Sequence, residues 1–349
     1  MSLNPITKRN QSADLLKGMA VIFMVQVHIM ELFAKQEIYD SVIGKISLFI
    51  GGPPCAPVFM AVMGYFLAYS DKPFSYYAKR GAILFIGGIL LNIGRSAYLF
   101  FNIYSGQSIA DPFFYIFGVD ILPLAGLSLI ACGLLKLFFK HNYIYYLIFA
   151  FIIAAVSPYL PVFGSAKSIS GYVNAFLWGN FEWSYFPLFP WLAYILIGYA
   201  FRLFEKKYQF SSKFGSSHNL VFSIPLIVFA AITISYATNV AHNLNGDEGY
   251  YHHEFLFFCW VLLFMAGYIM VINLIEEHSG KQPIARFVKW IGKNVTVFYV
   301  FQWLIIGNIG TQIYKTQSRS EIIFWFIGII AVVSVLTFVW SKIKKFYLI

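Results

Sequence analysis

Charge is what this sequence has least of. Asp, Glu, Lys and Arg together make up 11% of its 349 residues, whereas a soluble domain carries about 25%. With 59% of residues hydrophobic and 20% aromatic, a water-soluble globular chain is excluded and an integral membrane protein is expected. Acids are the scarcer sign, 15 against 25 basic residues, for a net charge of +10. That excess would suit nucleic acid only if it gathered on one soluble face. It is scattered between apolar runs instead, so no nucleic-acid partner is expected and its distribution reads as a topology signal. Cysteine is also rare. Cys55, Cys132 and Cys259 fall in apolar segments at no metal-ligand spacing, which argues against a disulfide framework and a zinc site, and no metal is expected. No internal repeat, low-complexity stretch or segment long enough for a separate soluble domain is visible.

Long apolar runs are what the chain does have. Roughly 20 apolar residues cross a hydrocarbon core of about 30 Å. By that measure ten spans are predicted, at 12–34, 43–69, 78–101, 115–139, 142–161, 184–204, 219–239, 253–275, 294–313 and 321–341. The runs are continuous and lack the period-two alternation of barrel strands. The expected fold class is therefore all-α, a polytopic membrane protein of about ten transmembrane helices forming one domain over 1–349. Lys8 and Arg9 lead an apolar run too long for a signal-peptide core and without a small-residue cleavage site, so a retained first helix is expected. Most basic residues fall in alternate connections, which places both termini in the cytoplasm. Pro53, Pro54 and Pro57 should break or kink the second span, a feature tolerated only against protein or a wet cavity.

The first span carries the densest chemistry. SADLLKGMAVIFMVQVHIMELFA holds Asp14 and Lys17 at one end and Gln26, His28 and Glu31 at the other. Ionisable groups inside a span are costly and mark functional sites, and His28 is the one whose charge is undecided near neutral pH. Depth follows from a rise of about 1.5 Å per residue. It sets Asn92 and Arg95 of the third span near the level of His28, with Gln302 of the ninth near the midplane. The outer connections add Asp111 and Asp120, then Glu182 and Trp183, then Asp247, Glu248, His252, His253 and Glu254. Acids mixed with rings suit a sugar, although aromatic belts produce the same composition. On the cytoplasmic side DKPFSYYAKR brings Lys72, Lys79 and Arg80 to the depth of Lys17. That cluster suits a phosphate-bearing cofactor, or equally a basic loop beside anionic lipid.

These residues resemble a family. Arg9, Asp14, Lys17 and Gly18, with His28 ten residues beyond the glycine, are similar to the opening helix of transmembrane acyltransferases, both the acyltransferase-3 group and the heparan-α-glucosaminide N-acetyltransferase-like group. GGPPCAPVFMAVMGYFLAYS at 51–70, GVDILPLAGLSLI at 118–130 and WIGKNVTVFYVFQWLI at 290–305 resemble later helices. FPLFPWLAYILIGYAFRL at 186–203 points to the glucosaminide branch. The chain departs from the pattern at Gln302, where many members have His, and at Lys17, where Arg is usual. The resemblance implies acetyl-CoA entering from the cytoplasm, a sugar or glycan acceptor on the opposite face, and a homodimer.

The expected function is acetyl transfer from cytoplasmic acetyl-CoA to an amine or hydroxyl of a sugar, in a bacterial inner (plasma) membrane. His28 is expected as general base or transient acyl carrier, against a packing histidine bonded to Glu31. Arg95 and Gln302 would bind the acyl oxygen or orient His28, against a snorkelling cation and an interhelical hydrogen bond. Asp14, Lys17, Lys72, Lys79 and Arg80 would hold the donor, against an Asp14 that merely complements the start of its helix beside a cap at Ser12. Glu31, Asn92, Asp120, Glu182, Trp183, His252 and His253 would hold the acceptor. The alternative is a proton-coupled transporter or flippase of a sugar or small anion, with His28 and Glu31 as relay and the proline-broken helix as gate.

Overall fold

Apolar length and helix-capping side chains together set where the helices begin. A computed structural model describes residues 10–209, 216–244 and 249–346, so Lys8, Arg9, Asp247 and Glu248 lie outside the described residues. Among them the regular structure is helical, apart from one isolated parallel bridge between Ala34 and Gln317. The helices are α1 (Gln11–Leu32), α2 (Gln36–Tyr39), α3 (Val42–Gly51), α4 (Ala56–Leu67), α5 (Phe74–Arg95), α6 (Ala97–Tyr104), α7 (Pro112–Ile116) and α8 (Ile121–Phe139). There follow α9 (Tyr143–Val156), α10 (Ile169–Leu177), α11 (Leu188–Tyr208), α12 (Ser216–His242), α13 (Phe255–Ser279), α14 (Pro283–Lys293), α15 (Val295–Gln312) and α16 (Arg319–Phe346). Asn10 caps α1, its Oδ1 accepting from the Ala13 amide at 2.9 Å; the cap expected at Ser12 is one turn-start too late. Asp120 and Asn142 cap α8 and α9 in the same way, supplying acceptors to amides that have no partner within the helix.

Every predicted span has a helix at its core. Among the described residues, seven single stretches are long and apolar enough to cross a bilayer, and an eighth joins α5 to α6 through a bend of 56°. The other two are α9, which is shorter, and α15, whose apolar run is diluted by Gln302, Asn308 and Gln312. The chain is an all-α polytopic membrane protein. The second span breaks where the prolines predict. Gly52–Cys55 separates α3 from α4, because Pro53 and Pro54 cannot donate to the helical ladder. The bend at Ser96 and the separation of α7 from α8 were not visible as breaks in a uniformly apolar run.

α11 is the central pillar. Trp191, Tyr194, Ile195, Leu196 and Tyr199 are fully buried, which an isolated span facing lipid would not need. It crosses α4 with backbones in contact: a Cβ at Gly64 would strike the Ile195 carbonyl, and one at Gly198 would strike the Ala61 carbonyl. Small residues of this kind permit the close approach on which helix association in lipid depends. By contrast α12 and α16 bury few of their apolar residues, as peripheral, lipid-facing helices should. Between pillar and periphery, α1, α3–α4, α5, α8 and α15 enclose a polar cavity at the C-terminal end of α1.

Candidate active site

The cavity has a volume of about 650 Å3. Its polar wall is built from His28 and Glu31 of α1, Arg95 at the end of α5, Asp120 at the cap of α8, and Tyr299 and Trp303 of α15. Tyrosines from the connections close the rest: Tyr39, Tyr115, Tyr185, Tyr250, Tyr251 and Tyr314. The structure brings His28, Glu31, Arg95 and Asp120, which the sequence placed at a similar depth, to one wall. Gln302 stands directly behind it, fully buried.

His28 is held from two directions. Its Nδ1 lies 3.2 Å from Gln302 Oε1. An amide oxygen only accepts, so Nδ1 is the donor in this contact, and in the neutral ring the lone pair is then on Nε2. The imidazole also packs on Trp303, with ring centroids 4.0 Å apart at 31°. The packing role considered for His28, a bond to Glu31, is not made. The Gln302 Nε2 is buried with no hydrogen-bond partner among the described residues, an energetically costly state.

Trp303 carries a second partner. The Arg95 guanidinium lies 4.3 Å from its ring centroid, a cation–π geometry, while Arg95 Nη1 donates to Asp120 Oδ2 at 2.7 Å. Asp120 Oδ1 accepts from the Ile121 amide at 2.7 Å, so one carboxylate both starts α8 and orients the arginine. The Tyr299 hydroxyl lies beside Asp120 and Trp303. His28, Gln302, Trp303, Arg95 and Asp120 therefore form a continuous set drawn from four helices.

Several expected acceptor residues lie elsewhere. Asn92 is buried and donates to the Ile116 and Gly118 carbonyls at 3.1 and 2.8 Å, tying α5 to the turn before α8. Trp183 is buried in an aromatic cluster, stacked on Phe114 at 4.3 Å and Phe181 at 4.9 Å. Glu182 is exposed. His252 Nε2 donates to the Ser184 carbonyl at 2.8 Å, and burial lowers its pKa to about 4. His253 Nδ1 donates to the Tyr250 carbonyl at 2.9 Å, leaving Nε2 to accept from Tyr194 at 2.9 Å. Both histidines fix the loop that presents Tyr250 and Tyr251 to the cavity.

The residues expected to hold the donor sit toward the other end of α1. Lys17 pairs with buried Asp14 at 3.0 Å and lies over Phe66. Lys72 and Lys79 are exposed, and Arg80 donates to the Tyr76 hydroxyl at 2.9 Å. No ion pair or hydrogen bond among the described residues joins Lys17 to the other three. From Lys17 to Met24, where α1 first reaches the cavity, is roughly 10 Å of helix, and Ala20 and Val21 in that layer are buried.

Trp303 and the cavity tyrosines were missed from sequence. Trp303 follows Gln302 directly, which was a usable signal. The tyrosines had none that separated them from an interfacial belt.

Long apolar helices around a polar cavity define the class: a polytopic membrane protein. The family profile described as an acyltransferase domain, that of acyltransferase family 3, matches residues 10–341, and the chain belongs to that family. Comparisons with curated proteins and with solved structures found no match.

Proposed function

We propose that the protein moves an acetyl group from cytoplasmic acetyl-CoA to a sugar or glycan on the opposite membrane face, with His28 as general base. Family membership makes the chain a membrane acyltransferase; the donor, acceptor and residue roles belong to the proposal. The observation that carries it is the His28–Gln302 contact on the wall of the cavity.

His28 Nε2 takes the proton of the acceptor as its oxygen or nitrogen attacks the thioester carbonyl carbon. The C–S bond breaks, and the proton returns to the leaving thiolate. Correct placement of such a base contributes about 10²–10⁴-fold. Gln302 holds the ring in the required tautomer. Arg95, braced by Asp120, presents its remaining N–H groups toward developing negative charge on the acyl oxygen. Lys17, Lys72, Lys79 and Arg80 supply positive charge for donor phosphates on the far side of α1, and the acyl arm has to pass the layer at Ala20 and Val21. The transporter alternative draws on the break at Gly52–Cys55 beside the cavity but has no place for an acyltransferase domain.

Proteoliposomes test this. With labelled acetyl-CoA added on the side of Lys72 and Arg80 and a sugar acceptor on the other, label should accumulate on the acceptor. Solute movement with no consumption of acetyl-CoA would put the transporter first.

A further inference from the structure

The cavity holds two carboxylates in unlike circumstances. Asp120 is matched, by Arg95 at 2.7 Å and by a backbone amide. Glu31, one turn beyond His28 on the same face of α1, makes no hydrogen bond or ion pair among the described residues. Lys315, the other cation of the wall, is engaged elsewhere: its ammonium donates to Gln36 Oε1 at 2.6 Å and stands over Tyr39 and Tyr314. The Tyr250 hydroxyl, on the same wall, is buried and has no partner among the described residues.

We infer that Glu31 forms a subsite for a cationic group of the acceptor, an ammonium, set one helical turn from the group that His28 activates. At membrane depth Glu31 is costly as an anion without a counter-charge; an ammonium supplies that charge, and a neutral hydroxyl does not. The Tyr250 oxygen, on the same wall and without a partner among the described residues, can accept one of the ammonium hydrogens. The turn from His28 to Glu31 is about 4.5 Å, suited to functional groups on neighbouring carbons.

An ammonium held by a carboxylate has no lone pair with which to attack. The acceptor is thus an amino alcohol, and the hydroxyl is the reacting group; this part rests on the acyl-transfer reading above. The hydroxyl oxygen attacks the acyl carbon as its proton passes to His28 Nε2. A C–O bond forms, the C–S bond breaks, and the departing thiolate takes the proton back.

The test is equilibrium binding of glucosamine and of N-acetylglucosamine to the full chain in lipid nanodiscs without donor. The wild type should bind glucosamine more tightly by about tenfold or more. Glu31→Gln should abolish the difference, and Glu31→Asp, as a folding control, should keep part of it. Equal binding of the two sugars, binding of neither, or a preference that survives Glu31→Gln overturns the subsite. Label from acetyl-CoA is followed separately. An intact Glu31-dependent preference with no transfer sinks the transferase reading and leaves the subsite standing, whereas transfer without the preference does the reverse. A transferred label stable to hydroxylamine, as an amide is, overturns the hydroxyl as reacting group.

Discussion

His28 and Gln302, 274 residues apart in the chain, meet at 3.2 Å through Nδ1 and Oε1. That contact joins the first helix to the penultimate long one and determines which imidazole nitrogen is free. Gln302→Leu removes the acceptor while preserving much of the side-chain volume. It should lower kcat by roughly 10-fold or more with a smaller change in KM, because orientation of the base and not substrate contact is lost. Steady-state kinetics on the purified variant checks this split.

The Arg95–Asp120 pair is largely buried, with side chains 12% and 9% exposed. Removing one partner of such a pair costs about 3–5 kcal/mol, because the other charge is stranded. Arg95→Met should therefore lower the thermal midpoint sharply. Asp120→Ala should lower it at least as much, since the cap of α8 is lost as well, at about 1 kcal/mol. Asp120→Asn retains a capping oxygen and should lie between Asp120→Ala and the wild type. The order of midpoints in a single detergent is the measurement.

Backbone contact between α4 and α11 makes Gly198 intolerant of a side chain. Gly198→Ala places its Cβ against the Ala61 carbonyl and should destabilise by about 1–3 kcal/mol through forced separation of the helices. Gly87→Ala is the control. Its Cβ would meet nothing within 4 Å, and alanine is the better helix former by about 1 kcal/mol. A thermal midpoint unchanged or raised for Gly87→Ala beside a lowered one for Gly198→Ala is the expected pattern.

His252 makes stability depend on pH. Burial lowers its pKa from 6.5 to about 4 in the folded chain, so between those values the unfolded chain binds the extra proton. Stability rises with pH across that window, is fully present above pH 6.5, and is lost as pH falls toward 4. His252→Gln should flatten that slope in a series of thermal midpoints taken from pH 4 to 7.

The apolar lengths in the sequence locate every helix that crosses or nearly crosses the bilayer, and Pro53 and Pro54 mark the broken one. Rise per residue was enough to put His28 and Arg95 at one level, and the place of Asp120 in an outer connection brought it near them. Direction around each helix was not legible. In a membrane both the packed and the lipid-facing sides of a helix are apolar, so the phase that points a soluble helix toward its core is missing. Trp183 consequently read as a sugar-stacking residue but packs among Phe114, Phe181 and Tyr172. Asn92 sits one turn from Arg95 yet bonds to carbonyls of the turn before α8. Lys17 shares a depth with Lys72, Lys79 and Arg80, and depth alone did not make them neighbours. The cavity tyrosines come from six separate stretches of chain, a convergence with no local pattern to read.

The most direct measurement is transfer of label and slow thioester hydrolysis by purified protein given radiolabelled acetyl-CoA, wild type beside His28→Ala, with CoA binding measured on both. The account predicts that turnover falls by about 100-fold or more in the variant while CoA still binds. Equal turnover in the two proteins would contradict it and remove His28 from the chemistry.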